Sequence, residues 1–214
     1  MIKILEFQFN PIEVNTYIVY DETAECVIID AGCCNESENK TLQKAITVNN
    51  LKPIKLISTH GHFDHIMGNS FVCETYKIST YINKNDLGDV ERASSYGSYF
   101  DVNVVQPPAP QNFVNDGDEI KFGNSTLKII FTPGHTRGGI CLYSEPDKLL
   151  FSGDTLFAGS IGRTDLPGGD YDVLMNSIKK LMLLPDDTNV FCGHGPKTTI
   201  GCEKSTNPFI TEMM

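Results

Sequence analysis

The chain has 214 residues, with 17 basic and 27 acidic side chains, a formal net charge of −10, five histidines, seven cysteines and no tryptophan. That length suits one globular domain with a sizeable core, and 40% apolar residues beside 21% charged ones exclude a wholly disordered chain. A chain this acidic is poorly suited to bind phosphate backbones, which need Lys and Arg, so no nucleic-acid partner is expected.

The opening MIKILEFQFN carries Glu6 and no small-residue cleavage site, and no apolar run reaches the roughly 20 residues of a membrane span. Neither a secretory signal nor a membrane partner is expected. Seven cysteines without a CxxC pair, in a chain able to build its own core, read as free and mostly buried thiols in a reducing cytoplasm.

In chain order, the pattern predicts strands over residues 3–9, 15–20 and 26–30, the last ending at Ala31–Gly32. A helix follows over 38–49, with Leu42, Ala45 and Ile46 on one face, then a buried strand over 54–58 that runs into Thr59-His60-Gly61-His62. A helix over 64–76 and a strand over 78–82 come next. Residues 83–112 are the least regular and read as a covering loop with some helix; Tyr96, Tyr99 and Phe100 there line a lid or simply pack the loop. Strands resume at 119–122, 126–131, 140–144 and 148–152, a Gly-rich loop spans 153–169, and a helix over 171–183 precedes a strand over 189–192. Two βα-rich halves, about 1–110 and 111–214, predict one α+β domain of two packed sheets with helices outside.

All five histidines fall at strand ends or just beyond, where α/β folds locate chemistry. His60, His62 and His65 share His-Gly-His-Phe-Asp-His with Asp64; His135 follows Thr132-Pro133-Gly134; His194 sits in Cys192-Gly193-His194-Gly195; and Asp154 stands likewise in Ser152-Gly153-Asp154-Thr155. Alternate residues of an extended loop project to one side, so His60 and His62 can bind one ion while Asp64 and His65 turn toward a second. Five imidazoles and two carboxylates are too many donors for one tetrahedral ion and suit two divalent ions sharing a carboxylate. Imidazole with carboxylate accepts zinc, iron or manganese.

HxHxDH at 60–65, TPGHT at 132–136, FSGDTLF at 151–157 and CGHG at 192–195 resemble, in order, the motifs of the metallo-β-lactamase superfamily. The resemblance implies a four-layer αβ/βα sandwich with metals at one edge of the two sheets, and zinc as the first expectation. It also implies a ligand set: His60, His62 and His135 for one metal, Asp64, His65 and His194 for the other, and Asp154 bridging. True β-lactamases of this superfamily typically lack the bridging Asp, so Asp154 argues against antibiotic hydrolysis.

The run GDTLFAGSIGRTDLPGGD at 153–170 resembles the glyoxalase II-like branch, which hydrolyses hydroxyacyl-glutathione thioesters. Arg163 matches a basic residue that contacts glutathione in the larger enzymes of that branch, while Asp165 stands where they carry Tyr. Arg163 therefore reads either as an anion-binding residue or as half of an ion pair with Asp165. The reaction implied is attack of a metal-bridging hydroxide on an acyl carbonyl of a small thioester, with Asp64 catalytic as well as ligating. The alternative on the same fold is a mononuclear-iron persulfide dioxygenase.

Overall fold

The computed structural model describes residues 1–99 and 102–212. Strand β1 (Lys3–Phe9) pairs antiparallel with β2 (Val14–Tyr20), and β2 with β3 (Glu25–Ile29), across short polar turns. Pairing then becomes parallel. Helix α1 (Glu36–Val48) leads to β4 (Lys52–Ile57), and α2 (Phe63–Ile66) with α3 (Asn69–Tyr76) leads to β5 (Thr80–Ile82). A 3-10 turn at Lys84–Asp86, α4 (Leu87–Glu91) and α5 (Ala93–Tyr99) precede β6 (Asn112–Phe113), the edge of a sheet ordered β1-β2-β3-β4-β5-β6.

The second sheet is built from β7 (Glu119–Phe122), β8 (Ser125–Phe131), β9 (Ile140–Ser144) and β10 (Leu149–Gly153) as an antiparallel meander. A small hairpin, β11 (Leu156–Phe157) with β12 (Ser160–Ile161), and helix α6 (Tyr171–Leu181) lead to β13 (Asn189–Cys192), which pairs parallel with β10. β14 (Thr198–Thr199), α7 (Ile200–Thr206) and α8 (Pro208–Thr211) follow, giving the order β14-β13-β10-β9-β8-β7.

Burial assigns the layers. Val19, Val27, Ile29 and Ile57 of the first sheet share a core with Phe122, Leu127, Leu142 and Phe151 of the second, so these faces pack together. The alternate residues Ile18, Ile28 and Leu56 bury against Leu42 and Ile46 of α1 and Val72 of α3. On the far side Leu150 and Val190 bury against Leu174, Ile178 and Leu181 of α6. Both faces of the central strands are covered, which is why they read as continuous apolar runs. The result is the predicted αβ/βα sandwich of one α+β domain.

The predicted elements need four adjustments. The helix expected over 64–76 is two, because Gly68 turns its N–H to the Ala31 carbonyl at 2.7 Å and packs where a Cβ would lie 2.3 Å from Cys33 Sγ. The helix expected over 171–183 ends at Leu181, the loop at 153–169 contains the β11–β12 hairpin, and the short C-terminal helices had no counterpart in the prediction. The irregular 83–112 stretch is largely helical up to Tyr99; Phe100 and the side chain of Tyr99 lie outside the described residues. Among the described residues no helix is long and apolar enough to cross a membrane.

All seven cysteines are free, and burial pushes the Cys26, Cys33 and Cys192 thiols up to about 12. Cys192 is thus a protonated strand thiol rather than a redox group poised beside His194.

Asp21 ties the two sheets together. Its carboxylate accepts from Thr23 N–H and Oγ1, and from Asn124 N–H and Ser125 Oγ across in the β7–β8 turn, at 2.6–2.9 Å. Burial opposes its ionisation, but these bonds outweigh it and hold the carboxyl down to about 2. A depressed carboxyl pKa contributes stability above about pH 4 that is lost as pH falls toward 2. Asp21→Asn should therefore cost ~2 kcal/mol at pH 7 and almost nothing at pH 2. Urea midpoints at the two pH values check this; an equal cost at both would remove the charge from the account.

Candidate metal centre

The C-terminal ends of the parallel strands build the site. β3 ends in Asp30, whose backbone turns left-handed at φ 52°, a conformation Asp tolerates because its short side chain bonds locally. Asp30 Oδ1 accepts the Thr59 N–H at 2.7 Å, and Oδ2 accepts Thr59 Oγ1 at 2.7 Å and His65 Nδ1 at 3.0 Å. The neighbouring strand β4 ends at Ile57 and releases residues 58–62, so Asp30 stands directly behind the histidine loop.

The second sheet contributes the same way. β8 ends at Phe131, and Thr132-Pro133-Gly134 turn the chain to present His135; Gly134 has φ 129°, and any Cβ there would fall 2.2 Å from the Leu174 backbone nitrogen. The parallel pair β10 and β13 ends in Gly153-Asp154 and Cys192-Gly193-His194, side by side. A Cβ on Gly193 would lie 2.1 Å from Asp154 Oδ1, so only glycine permits this approach.

All seven predicted donors meet at this edge. They form three overlapping sets whose donor atoms lie within 4.8 Å of one another: His60–His62–His135, His60–His65–Asp154 and Asp64–His65–His194. His135 Nε2 faces His62 Nδ1 at 2.9 Å, and His65 Nε2 faces His194 Nε2 at 3.2 Å. Asp154 reaches into both groups, with Oδ1 3.3 Å from His65 Nε2 and Oδ2 3.5 Å from His135 Nε2 and 3.6 Å from His194 Nε2.

Surrounding acceptors choose the tautomers. His135 Nδ1 donates to the Arg163 carbonyl at 2.8 Å, His194 Nδ1 to the Ile12 carbonyl at 3.0 Å, and His65 Nδ1 to Asp30. Thr59 Oγ1 gives its proton to Asp30 and so accepts from His60 Nδ1 at 3.1 Å. Every such bond points an Nε2 inward, where a neutral ring offers a lone pair to a cation.

Two atoms of this floor are left over. His60 Nε2 and Asp154 Oδ1 are buried without any hydrogen-bond partner, a costly state for polar atoms unless a cation completes it. Burial pushes His60 below the usual histidine range, helped by His65, and takes His62 down to about 4. Burial would lower His65 too, but Asp154, Asp64 and Asp30 outweigh it and hold that imidazole well above its ordinary range. Burial raises Asp64 and Asp154, yet His65 overrides it and keeps both carboxyls ionised. The pocket demands positive charge, and its donor set fits divalent ions.

A cavity of about 1060 Å³ opens over this floor, walled by Ile12, Phe63, Tyr96, Phe157, Ile161 and Leu166. Arg163 and Arg92 also line it. Arg163 grips Asp165 through two bonds of 2.7 Å and holds that carboxyl down to about 2, while Arg92 lies 3.1 Å from Asp89. The ion-pair reading of Arg163 is therefore realised in the structure, and its carbonyl also orients His135.

From the sequence Asp30 is only the last residue of a strand. The signal was present nonetheless: Cys26-Val27-Ile28-Ile29-Asp30 closes an apolar strand with a carboxylate, as Leu150-Phe151-Ser152-Gly153-Asp154 does.

This topology carries an edge of His and Asp donors suited to divalent metal, and residues 10–194 match the metallo-beta-lactamase superfamily model. The chain belongs to that superfamily. It is 37% identical to a probable metallo-hydrolase, YqgX, of Bacillus subtilis over 94% of this chain and 93% of that protein. It is 34% identical to the hydroxyacylglutathione hydrolase GloC of Haemophilus influenzae, covering 92% of each. Among solved structures, the BLEG-1 B3 metallo-beta-lactamase superposes with a TM-score of 0.89 at 35% identity, over 99% of this chain and 100% of that one. A di-iron-bound form of TTHA1623 superposes at 0.87 with 35% identity, over 96% and 99%.

Proposed function

We propose that this protein is a cytoplasmic, binuclear metal-dependent hydrolase of acyl thioesters. The observation that carries the reading is Asp154, which contacts a histidine of each donor group beside the unpartnered, buried His60 Nε2. His60, His62 and His135 would hold one ion and Asp64, His65 and His194 the other, with Asp154 between them. Bound divalent ions supply Lewis acidity, lowering the pKa of a shared water toward neutrality and polarising an acyl carbonyl.

The chain's own groups do the rest. Asp64 Oδ2, 3.4 Å from His194 Nε2, receives a proton from the attacking water. The apolar walls take up the acyl group and limit bulk water at the floor. The Arg163 carbonyl and Asp30 fix the His135 and His65 rings. The products are a carboxylic acid and a thiol, the leaving sulfur regaining the proton. Hydroxyacyl-glutathione is the first substrate to try, given the similarity to GloC, and Arg163 would contact its anion only by leaving Asp165; zinc is the first metal, with iron supported by the di-iron relative and manganese compatible with the donors.

The test is thiol release from a panel of thioesters, with lactones and β-lactams alongside, before and after chelation. Thiol release abolished by chelator and restored by zinc or iron is expected. Asp64→Asn should lower it by ~10²–10⁴-fold, the range of a lost acid–base group. Chelator-insensitive turnover would refute the mechanism. Oxygen uptake with a persulfide at one iron per chain would favour the dioxygenase reading instead.

A further inference from the structure

A second buried carboxylate stands behind the histidines, and unlike Asp30 it touches none of them. Asp86 ends the 3-10 turn before α4 and is fully buried. Its Oδ2 accepts the Gly61 N–H at 3.0 Å and Thr136 Oγ1 at 2.7 Å, and its Oδ1 accepts the Gly138 N–H at 2.5 Å. Gly61 lies between His60 and His62, and Thr136 follows His135. One carboxylate thus clips the loop after β4 in the first sheet to the loop after β8 in the second.

Those two loops carry all three histidines of the His60–His62–His135 set, whereas Asp64 and His65 lie on the adjoining α2 and His194 on a separate loop. Space reinforces the clip. A Cβ on Gly61 would lie 2.8 Å from the Asp86 carbonyl oxygen, and one on Gly138 would lie 2.6 Å from Asp86 Cγ. Among the described residues no Lys or Arg forms an ion pair with Asp86, and burial pushes its carboxyl up to about 6. An anion held at that cost, bonded only to histidine-bearing loops, marks a requirement for geometry rather than for stability alone.

We propose that Asp86 is the positioning residue of the His60–His62–His135 metal position, setting its affinity from behind through two loop backbones. The inference rests on the metal-centre part of the proposed function and not on the substrate.

The full-length protein, stripped by chelator, is titrated with zinc against a chromophoric competitor, and its melting temperature is followed in parallel. Asp86→Asn should weaken one zinc step by ~10–100-fold, the usual effect of losing a group behind a metal ligand, and leave the other step unchanged. In a His194→Ala background the remaining step should show the full loss; in a His62→Ala background Asp86→Asn should add almost nothing.

Thr136→Val, which removes one of the three donors, should move zinc affinity several-fold in the same direction if Asp86→Asn does not fold. Glu203→Gln is the control. Glu203 is equally buried and accepts from Gly159 N–H, Thr198 Oγ1 and Asn207 Nδ2, but it holds segments bearing no donor. It should lower the melting temperature without altering zinc affinity. Unchanged zinc affinity in Asp86→Asn, or the same loss in both backgrounds, overturns the proposal. Failure of the native chain to take up zinc, iron or manganese overturns it together with the metal centre, whereas lost thioester turnover with two zinc steps intact would count against the substrate reading only.

Discussion

Asp154→Asn should lower turnover by ~10³-fold or more and at least halve the metal that the chain binds. The substitution keeps the shape of the side chain and removes its charge. Asp154 is the group whose two oxygens approach His65 on one side and His135 and His194 on the other, so neutralising it withdraws an anion from both positions at once. Losing about 4 kcal/mol of charge stabilisation corresponds to about three orders of magnitude in rate. Elemental analysis beside steady-state kinetics is the measurement. Full metal content with native turnover would remove Asp154 from the centre of the account, and a far-UV spectrum of native shape guards against simple unfolding.

Gly193→Ala is the second large effect, and it involves no chemistry in the residue itself. Its new methyl group would fall 2.1 Å from Asp154 Oδ1 and 2.9 Å from His65 Cε1. Neither neighbour is free to retreat: Asp154 is packed among the histidines, and His65 is fastened to Asp30. The backbone is held too, since Gly193 N–H bonds the Gly153 carbonyl and the Gly193 carbonyl accepts from Asn15 N–H, both at 2.8 Å. The clash must therefore be relieved by shifting donors. A displacement approaching 1 Å at a reacting centre costs ~10²-fold, so kcat should fall by about that factor while the chain still folds. Native kinetics in the alanine variant would mean that the loop yields more easily than its hydrogen bonds indicate.

These two residues also mark what could be read from the chain alone. The seven donors were legible because they sit in compact local patterns at the ends of apolar strands, and His60-Gly61-His62-Phe63-Asp64-His65 concentrates four of them in six positions. The strands themselves were legible because both faces are buried, which leaves unbroken runs such as Val27-Ile28-Ile29. Asp30 carries only the faint mark of a strand-closing carboxylate and Asp86 none: each is one acid among 27, and its role exists only through residues 25 to 52 positions away. The α2–α3 break was hidden for the same reason, since it depends on Gly68 meeting Ala31 and Cys33. The C-terminal helices are one or two turns long, and each buries a single isoleucine, Ile200 or Ile210, too few to show a helical stripe. Local pattern reveals the donors; only the packed chain reveals what aims them.

The two arginine–aspartate pairs at the mouth of the cavity bear on how fast a substrate arrives. Because each guanidinium there is matched by its own carboxylate, the entrance generates little field of its own, and the long-range potential is that of a chain carrying −10 before metal binds and still acidic with two divalent ions. An anionic molecule thus meets a mild repulsive barrier instead of a funnel, and dissolved salt, by screening that barrier, lets it in more quickly. Encounter with a neutral molecule is indifferent to ionic strength. Discrimination by charge begins in solution, before any side chain is touched.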